Sequence, residues 1–118
     1  AICDALLGAA NLRDIGYHFS DKSPEFKGID SKILLKKTVE LIKNKGYEIL
    51  NIDSTVCLQK PKITDYIDEM KDKLSETIGI SNEDISIKAT TTEKLGFEGR
   101  EEGVSAYAVV LLQKKSIL

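Results

Sequence analysis

Three short segments hold most of the residues in this chain that are equipped for chemistry. The richest is ATTTEKLGFEGR, residues 89–100. Thr90, Thr91 and Thr92 bring hydroxyls that donate and accept hydrogen bonds. Glu93 is a hard oxygen ligand suited to Mg2+, and Arg100 carries a planar fork matched to phosphate. Gly96 and Gly99 let the segment turn tightly. The plainer alternative is a threonine-rich strand that ends in a Glu–Arg surface ion pair.

The second segment is LQKPKIT, residues 58–64, where a strand is expected to run into a helix N-terminus. Free N–H groups and the helix dipole favour an anion at such a junction, and Lys60 and Lys62 add positive charge. Otherwise the lysines are ordinary solvated surface. The third is DIGYHFSD, residues 14–21. Gly16 permits close backbone approach, and Asp14 and Asp21 are placed to accept from hydroxyls. An Asx-turn at a helix exit is the competing reading. Together the three segments suit a phosphate-bearing ligand that also carries hydroxyls.

Other chemistries are poorly supplied. His18 is the only histidine and sits between Tyr17 and Phe19, which suits packing or surface better than base catalysis. No Ser-His-Asp or Cys-His arrangement is available for a nucleophile. One histidine and two cysteines are too few to build a zinc site from this chain alone.

The elements that must position these segments follow from periodicity. Ile2, Leu6, Ala9 and Ala10 fall on one face of an opening helix that no Ser, Thr, Asp or Asn caps. The sequence is therefore expected to begin inside a helix, short of its true N-terminus. Residues 13–31 read as loop, and so long an irregular stretch in a small domain suggests function. Asp30 or Ser31 caps a second helix with Leu35, Val39 and Ile42 on its apolar face and Gly46 closing it. In YEILNIDSTVCLQ, Leu50, Ile52, Val56 and Leu58 alternate with Asn51, Asp53 and Thr55, a half-buried strand. Pro61 stops it and suits the first turn of the next helix. Ile63, Tyr66, Ile67, Met70, Leu74 and Ile78 stripe that helix as far as Gly79. After the short turn NED, Ile85, Ile87 and Ala89 alternate into the threonine segment. VSAYAVVLLQKK is a last strand, apolar on both faces toward its end and so expected to be central or covered. The order is helix, loop, helix, strand, helix, strand, strand, an α/β domain with an anion and metal site.

The totals agree with one soluble globular domain: 118 residues, 42% apolar and 31% charged. A net charge of −2 argues against nucleic acid as partner. No run approaches the roughly 18 apolar residues of a membrane span, and no signal-peptide pattern appears. Cys3 and Cys57 sit in apolar runs without CxxC spacing, as buried free thiols in a reducing compartment would.

AICDALLGAANLRDIG, SPEFKGIDS, KGYEILNIDSTVCLQKPK and KATTTEKLGFEGREEGV resemble the 2-C-methyl-D-erythritol 2,4-cyclodiphosphate synthase family of the non-mevalonate isoprenoid pathway, over essentially the whole chain. The resemblance implies an α+β two-layer sandwich, with a mixed sheet and helices on one face. It also implies a homotrimer with the sheets around its axis and an active site at each subunit boundary. The family's reaction turns 4-diphosphocytidyl-2-C-methyl-D-erythritol 2-phosphate into a cyclic diphosphate and releases CMP, a phosphorus–oxygen lyase chemistry. The location implied is bacterial cytoplasm or plastid.

Residue roles implied by the resemblance follow its motifs. Asp14, Ile15 and Gly16 in DIG, with Phe19, Ser20, Asp21, Lys22 and Ser23 in FSDKS, would bind the methylerythritol phosphate part. The stretch Leu58, Gln59, Lys60, Pro61, Lys62, Ile63, Thr64 would hold the cytidine diphosphate part. Thr90, Thr91, Thr92 and Glu93 would contact cytosine and phosphate; Thr91 would stabilise the transition state and Glu93 would bind Mg2+ or Mn2+ on the diphosphate. Phe97 and Arg100 complete the pattern. Arg100, with Glu102, would lie near the trimer axis, where the family has an apolar cavity that accepts isoprenoid diphosphates. The family's Asp-x-His motif, its His-Ser pair and a further His supply zinc ligands and a second transition-state group. All of these, with N-terminal strands, would fall before Ala1. The rival expectation is a truncated, non-catalytic nucleotide-binding or assembly subunit.

Overall fold

The computed structural model describes residues 1–115. Helix α1 spans Ile2–Ala9, and no side chain caps its start at Ala1. Its buried residues are Leu6 and Leu7, followed by Ala10, whereas Ala9 is exposed, so the apolar face is turned slightly from the one expected. The segment expected to be all loop contains a four-residue helix, α2, Ile15–His18. Asp30 caps α3, Ser31–Asn44, by accepting from the Lys32 N–H at 2.8 Å. Leu35, Val39 and Ile42 of α3 are buried as their spacing requires, and Gly46 follows with φ +97°. A left-handed residue after the last turn is where glycine relieves the Cβ clash. Lys45 adds a tie between helices, donating to the Ala10 carbonyl at 2.6 Å.

Strand β1 runs Tyr47–Cys57 at the centre of a three-stranded mixed sheet. Beyond it come a 3-10 turn at Thr64–Tyr66 and α4, Ile67–Ile78. A second 3-10 turn, Asn82–Asp84, leads into β2, Ile85–Thr90, which pairs parallel with β1 from Ile52↔Ile85 to Cys57↔Thr90. A short helix α5, Gly96–Gly99, precedes β3, Ser105–Lys114, which pairs antiparallel with β1.

Two expectations about strands are corrected. In β1 the register against β3 shifts between Ile49 and Asn51, leaving Leu50 as an extra residue. Such a bulge resets the alternation. Ile49 and Ile52 therefore both face the core, while Leu50 is exposed. Strand β3 is not central but an edge strand. One of its faces is covered by α1; on the other, Tyr107, Val109 and Leu111 are 63%, 73% and 56% exposed.

The core is the layer between helices and sheet. Leu6 and Ala10, then Leu35, Val39 and Ile42, then Ile78 meet Ile49 and Ile52 of β1. Helix α1 packs against β3, α3 against β1 and α4 against β2, so the helices share one side of the sheet. This is the expected α+β layering, with the chemical segments left at the strand ends.

Candidate functional site

The parallel pairing of β1 and β2 decides which segments meet. Both strands end together at Cys57 and Thr90, and the Leu58 N–H continues the ladder to the Thr90 carbonyl at 3.0 Å. LQKPKIT and TTTE thus leave the sheet side by side. The expected junction of 58–64 with a helix start is corrected: α4 begins only at Ile67, after the 3-10 turn. Pro61 and the two lysines lie upstream of both, in bent and irregular chain that begins Gln59–Lys60–Pro61, and the Lys60–Pro61 bond is cis. The charge of Lys60 and Lys62, rather than the α4 dipole, is what this segment offers an anion. The Gln59 Oε1 is buried and finds no donor among the described residues.

The TTTE segment is a strained turn. Glu93 and Lys94 both stand in left-handed backbone, φ 54° and 66°, which a Cβ opposes. Two threonines hold it: the Thr91 Oγ1 accepts from the Glu93 N–H at 3.3 Å, and the Thr92 hydroxyl donates to the Leu95 carbonyl. The effect is to lift the Glu93 side chain into solvent at the strand ends. Gly96 takes part in the turn with φ +69°, but Gly99 serves packing instead. A Cβ on Gly99 would lie 2.2 Å from the Lys94 carbonyl carbon, so only glycine lets α5 close against the turn. Lys94 is thus a framing residue that motif reading passed over; the fixed spacing to Gly99 was its only signal.

Arg100 pairs through its Nε with Glu102 rather than with Glu93. Phe97 is partly exposed, and its ring crowds Gly103, where a Cβ would come within 3.2 Å. Lys60 approaches Glu101 at 3.7 Å, tying the LQKPKIT segment to the end of α5.

The DIGYHFSD segment is tied elsewhere. Asp4 of α1 accepts from the Ile15 N–H at 2.8 Å and so serves the start of α2, while Asp14 makes no side-chain cap bond there. The exposed Asp14 and Asp21 carboxylates face solvent. His18 bonds the Leu12 carbonyl through Nε2 at 2.6 Å and packs edge-on to Tyr17. Phe19 stacks edge-on to Phe26. Among the described residues, no hydrogen bond or ion pair joins residues 14–23 to the other two segments.

A cleft of about 540 Å3 lies on the helix side between Ile2, Leu35, Met70, Leu74 and the sheet. It is apolar and contains none of the residues of the three segments. An anionic ligand needs donors and positive charge, so the strand-end site is the better candidate. Among the described residues, no three His, Cys, Asp or Glu side chains converge to hold a metal ion. One histidine and two cysteines do not by themselves make a zinc site. Glu93, exposed and without an ion-pair partner among the described residues, fits the single carboxylate by which Mg2+ is often held alongside substrate phosphates.

Loops at the carboxyl ends of parallel strands are where open α/β sheets receive ligands, and β1 and β2 both end here. Fold and strand-end segments together define an α+β domain whose polar, lysine-bearing loops meet at the ends of β1 and β2. The chain belongs to the YgbB family, whose model matches residues 1–113. It is 68% identical over 114 residues to the 2-C-methyl-D-erythritol 2,4-cyclodiphosphate synthase of Bacteroides fragilis, covering 97% of this chain and 72% of that protein. Among solved structures it is similar to the bifunctional IspDF of Campylobacter jejuni, with a TM-score of 0.91, 41% identity, and coverage of 95% of this chain and 30% of that one. It is also similar to a CDP complex of IspF from Plasmodium falciparum, with a TM-score of 0.85, 34% identity, and coverage of 98% of this chain and 69% of that one.

Proposed function

We propose that this chain carries out the cyclisation of 4-diphosphocytidyl-2-C-methyl-D-erythritol 2-phosphate to the 2,4-cyclodiphosphate with release of CMP. The observation that carries the reading is the 68% identity to a relative of that name across nearly the whole chain. The similar CDP complex supports a cytidine diphosphate group as the part of the substrate held at the strand ends.

In this reading an oxygen of the 2-phosphate attacks the β-phosphorus. The bond from that phosphorus to the oxygen bridging to the α-phosphorus breaks, and CMP leaves with the electron pair. The step is an in-line phosphoryl transfer classed with phosphorus–oxygen lyases, and positioning with charge neutralisation carries the rate. Leu58–Thr64 holds the cytidine diphosphate, and Thr90–Glu93 contacts cytosine and phosphate. The Thr91 hydroxyl is the transition-state stabiliser. Asp14–Gly16 and Phe19–Ser23 take the methylerythritol phosphate part. Glu93 would hold Mg2+ or Mn2+, which neutralises diphosphate charge when bound. No step is assigned to zinc.

The bare outer face of β3 supports assembly as a trimer with the sheets around its axis. That arrangement also explains why residues 14–23 are not joined to the other segments within one chain: a site at a subunit boundary would unite them. Arg100 and Glu102 then lie near the axis, where an isoprenoid diphosphate is the proposed occupant. The Bacteroides fragilis relative is bacterial, which favours cytoplasm over plastid; no helix among the described residues is long and apolar enough to cross a membrane.

Incubating the protein with the diphosphocytidyl substrate and Mg2+ should release CMP. CDP binding without CMP release would support the rival, a non-catalytic nucleotide-binding subunit. The variant Glu93→Gln should lower the rate of CMP release about 100-fold, in line with loss of a preorganised charge contact. An unchanged rate and Mg2+ dependence would remove Glu93 from the site.

A further inference from the structure

Glu101 stands where the backbone favours another residue. It follows the last turn of α5 with φ 63°. The Glu102 N–H returns to the Phe97 carbonyl at 2.9 Å and the Glu101 N–H to Glu98 at 3.1 Å, the closing pattern of a helix that takes glycine at this position. Glycine would adopt the left-handed conformation freely; a glutamate does so against its own Cβ. What the glutamate supplies instead is a carboxylate 3.7 Å from the Lys60 ammonium. Among the described residues it is the one ion pair that reaches from the LQKPKIT segment to a residue directly after the ATTTEKLGFEGR segment. Its neighbour Glu102 binds Arg100 in the same manner. Two cations on this wall are thus held by two successive carboxylates.

We infer that Glu101 is a positioning residue for Lys60: its carboxylate holds the ammonium toward the end of α5 and yields it to a phosphate of the incoming nucleotide. The inference rests on the proposed function, because it takes the LQKPKIT segment as the seat of a nucleoside diphosphate. The pair is exposed, 75% at Lys60 and 49% at Glu101, so water screens it and the exchange is reversible. A carboxylate that must be displaced weakens diphosphate binding and makes it depend on salt.

The test is calorimetric CDP and cytidine binding by the wild type, Glu101→Gln, Glu101→Gly, Lys60→Gln and the Lys60→Gln/Glu101→Gln double variant. Glu101→Gln should raise CDP affinity about 3-fold at low salt, a gain that fades at high salt. Cytidine, which lacks phosphate, should bind no better. Glu101→Gly should show the same gain and, by relieving the backbone, a higher Tm. In the Lys60→Gln background the Glu101→Gln gain should vanish, because coupled partners are not additive. A gain that persists without Lys60 would be a general effect of removing negative charge and would overturn the inference. So would a gain confined to Glu101→Gly, which would trace to backbone strain. Failure of every variant and of the wild type to bind CDP would overturn the functional reading itself.

Discussion

Residue by residue, side-chain chemistry and backbone geometry were legible to different degrees. The hydroxyls of Thr90–Thr92, the Glu93 carboxylate and the two lysines of LQKPKIT announce themselves by type. Their conformations do not: that Glu93 and Lys94 take left-handed backbone could not be read from residues that usually avoid it. Nor does type reveal that Asp4, eleven positions away, bonds the start of α2 and leaves Asp14 open to solvent. Cys3 shows the same split. An apolar run suggests a buried thiol, whereas Cys3 and Cys57 are both only half-buried; that partial burial still pushes the Cys3 thiol up, with a Thr38 hydrogen bond acting the other way. The folded state therefore prefers the protonated form. That contribution to stability is complete below the ordinary thiol range and declines as pH rises through the raised value. In mildly alkaline buffer Cys3 should alkylate with iodoacetamide more slowly than the same cysteine in denaturant, as followed by mass spectrometry. Equal rates would place the thiol in solvent.

Among the elements, the helices were the most legible and the turns the least. Leu35, Val39 and Ile42 are buried as a 3.6-residue period demands, and Gly79 ends α4 in left-handed backbone, φ +85°. Short helices such as α2 and α5 carry too few residues for any period to show. The bulge at Leu50 is invisible in β1 alone, because it is defined against β3. Gly99 is read from sequence as allowing a tight turn, whereas the packing of α5 on the Lys94 backbone makes it a steric necessity. Gly99→Ala should lower stability by about 1–3 kcal/mol in denaturant titration, the usual effect of overpacking. Faster amide exchange should be confined to residues 92–103. Gly16→Ala is the control, since a Cβ there meets only the Asp14 carboxylate at an ordinary 3.7 Å. If both variants were equally stable, the close approach at Gly99 would be wrong.

For the whole molecule, the uncovered face of the sheet is the governing feature. Tyr107, Val109 and Leu111 form an exposed apolar stripe, while α1, α3 and α4 pack on the other side of the sheet. Patches of this kind mark interaction surfaces. If three copies close around that face, Val109→Asp should convert trimers to monomers in sedimentation velocity while far-UV circular dichroism stays unchanged. A wild-type protein that sediments as a monomer would remove the trimer proposal, and with it the account of a site shared between chains.

By itself the sequence determined the apolar face of α3, the existence of the strands, the polar segments and the family to which they belong, because periodicity and motif are local and survive without a fold. Tertiary structure alone decided which segments meet. Parallel pairing of β1 with β2 is a contact between residues more than thirty positions apart, as at Ile52↔Ile85, and it alone sets LQKPKIT beside TTTE. The edge position of β3 and the Lys60–Glu101 tie are likewise facts of distance in space, which spacing along the chain does not encode.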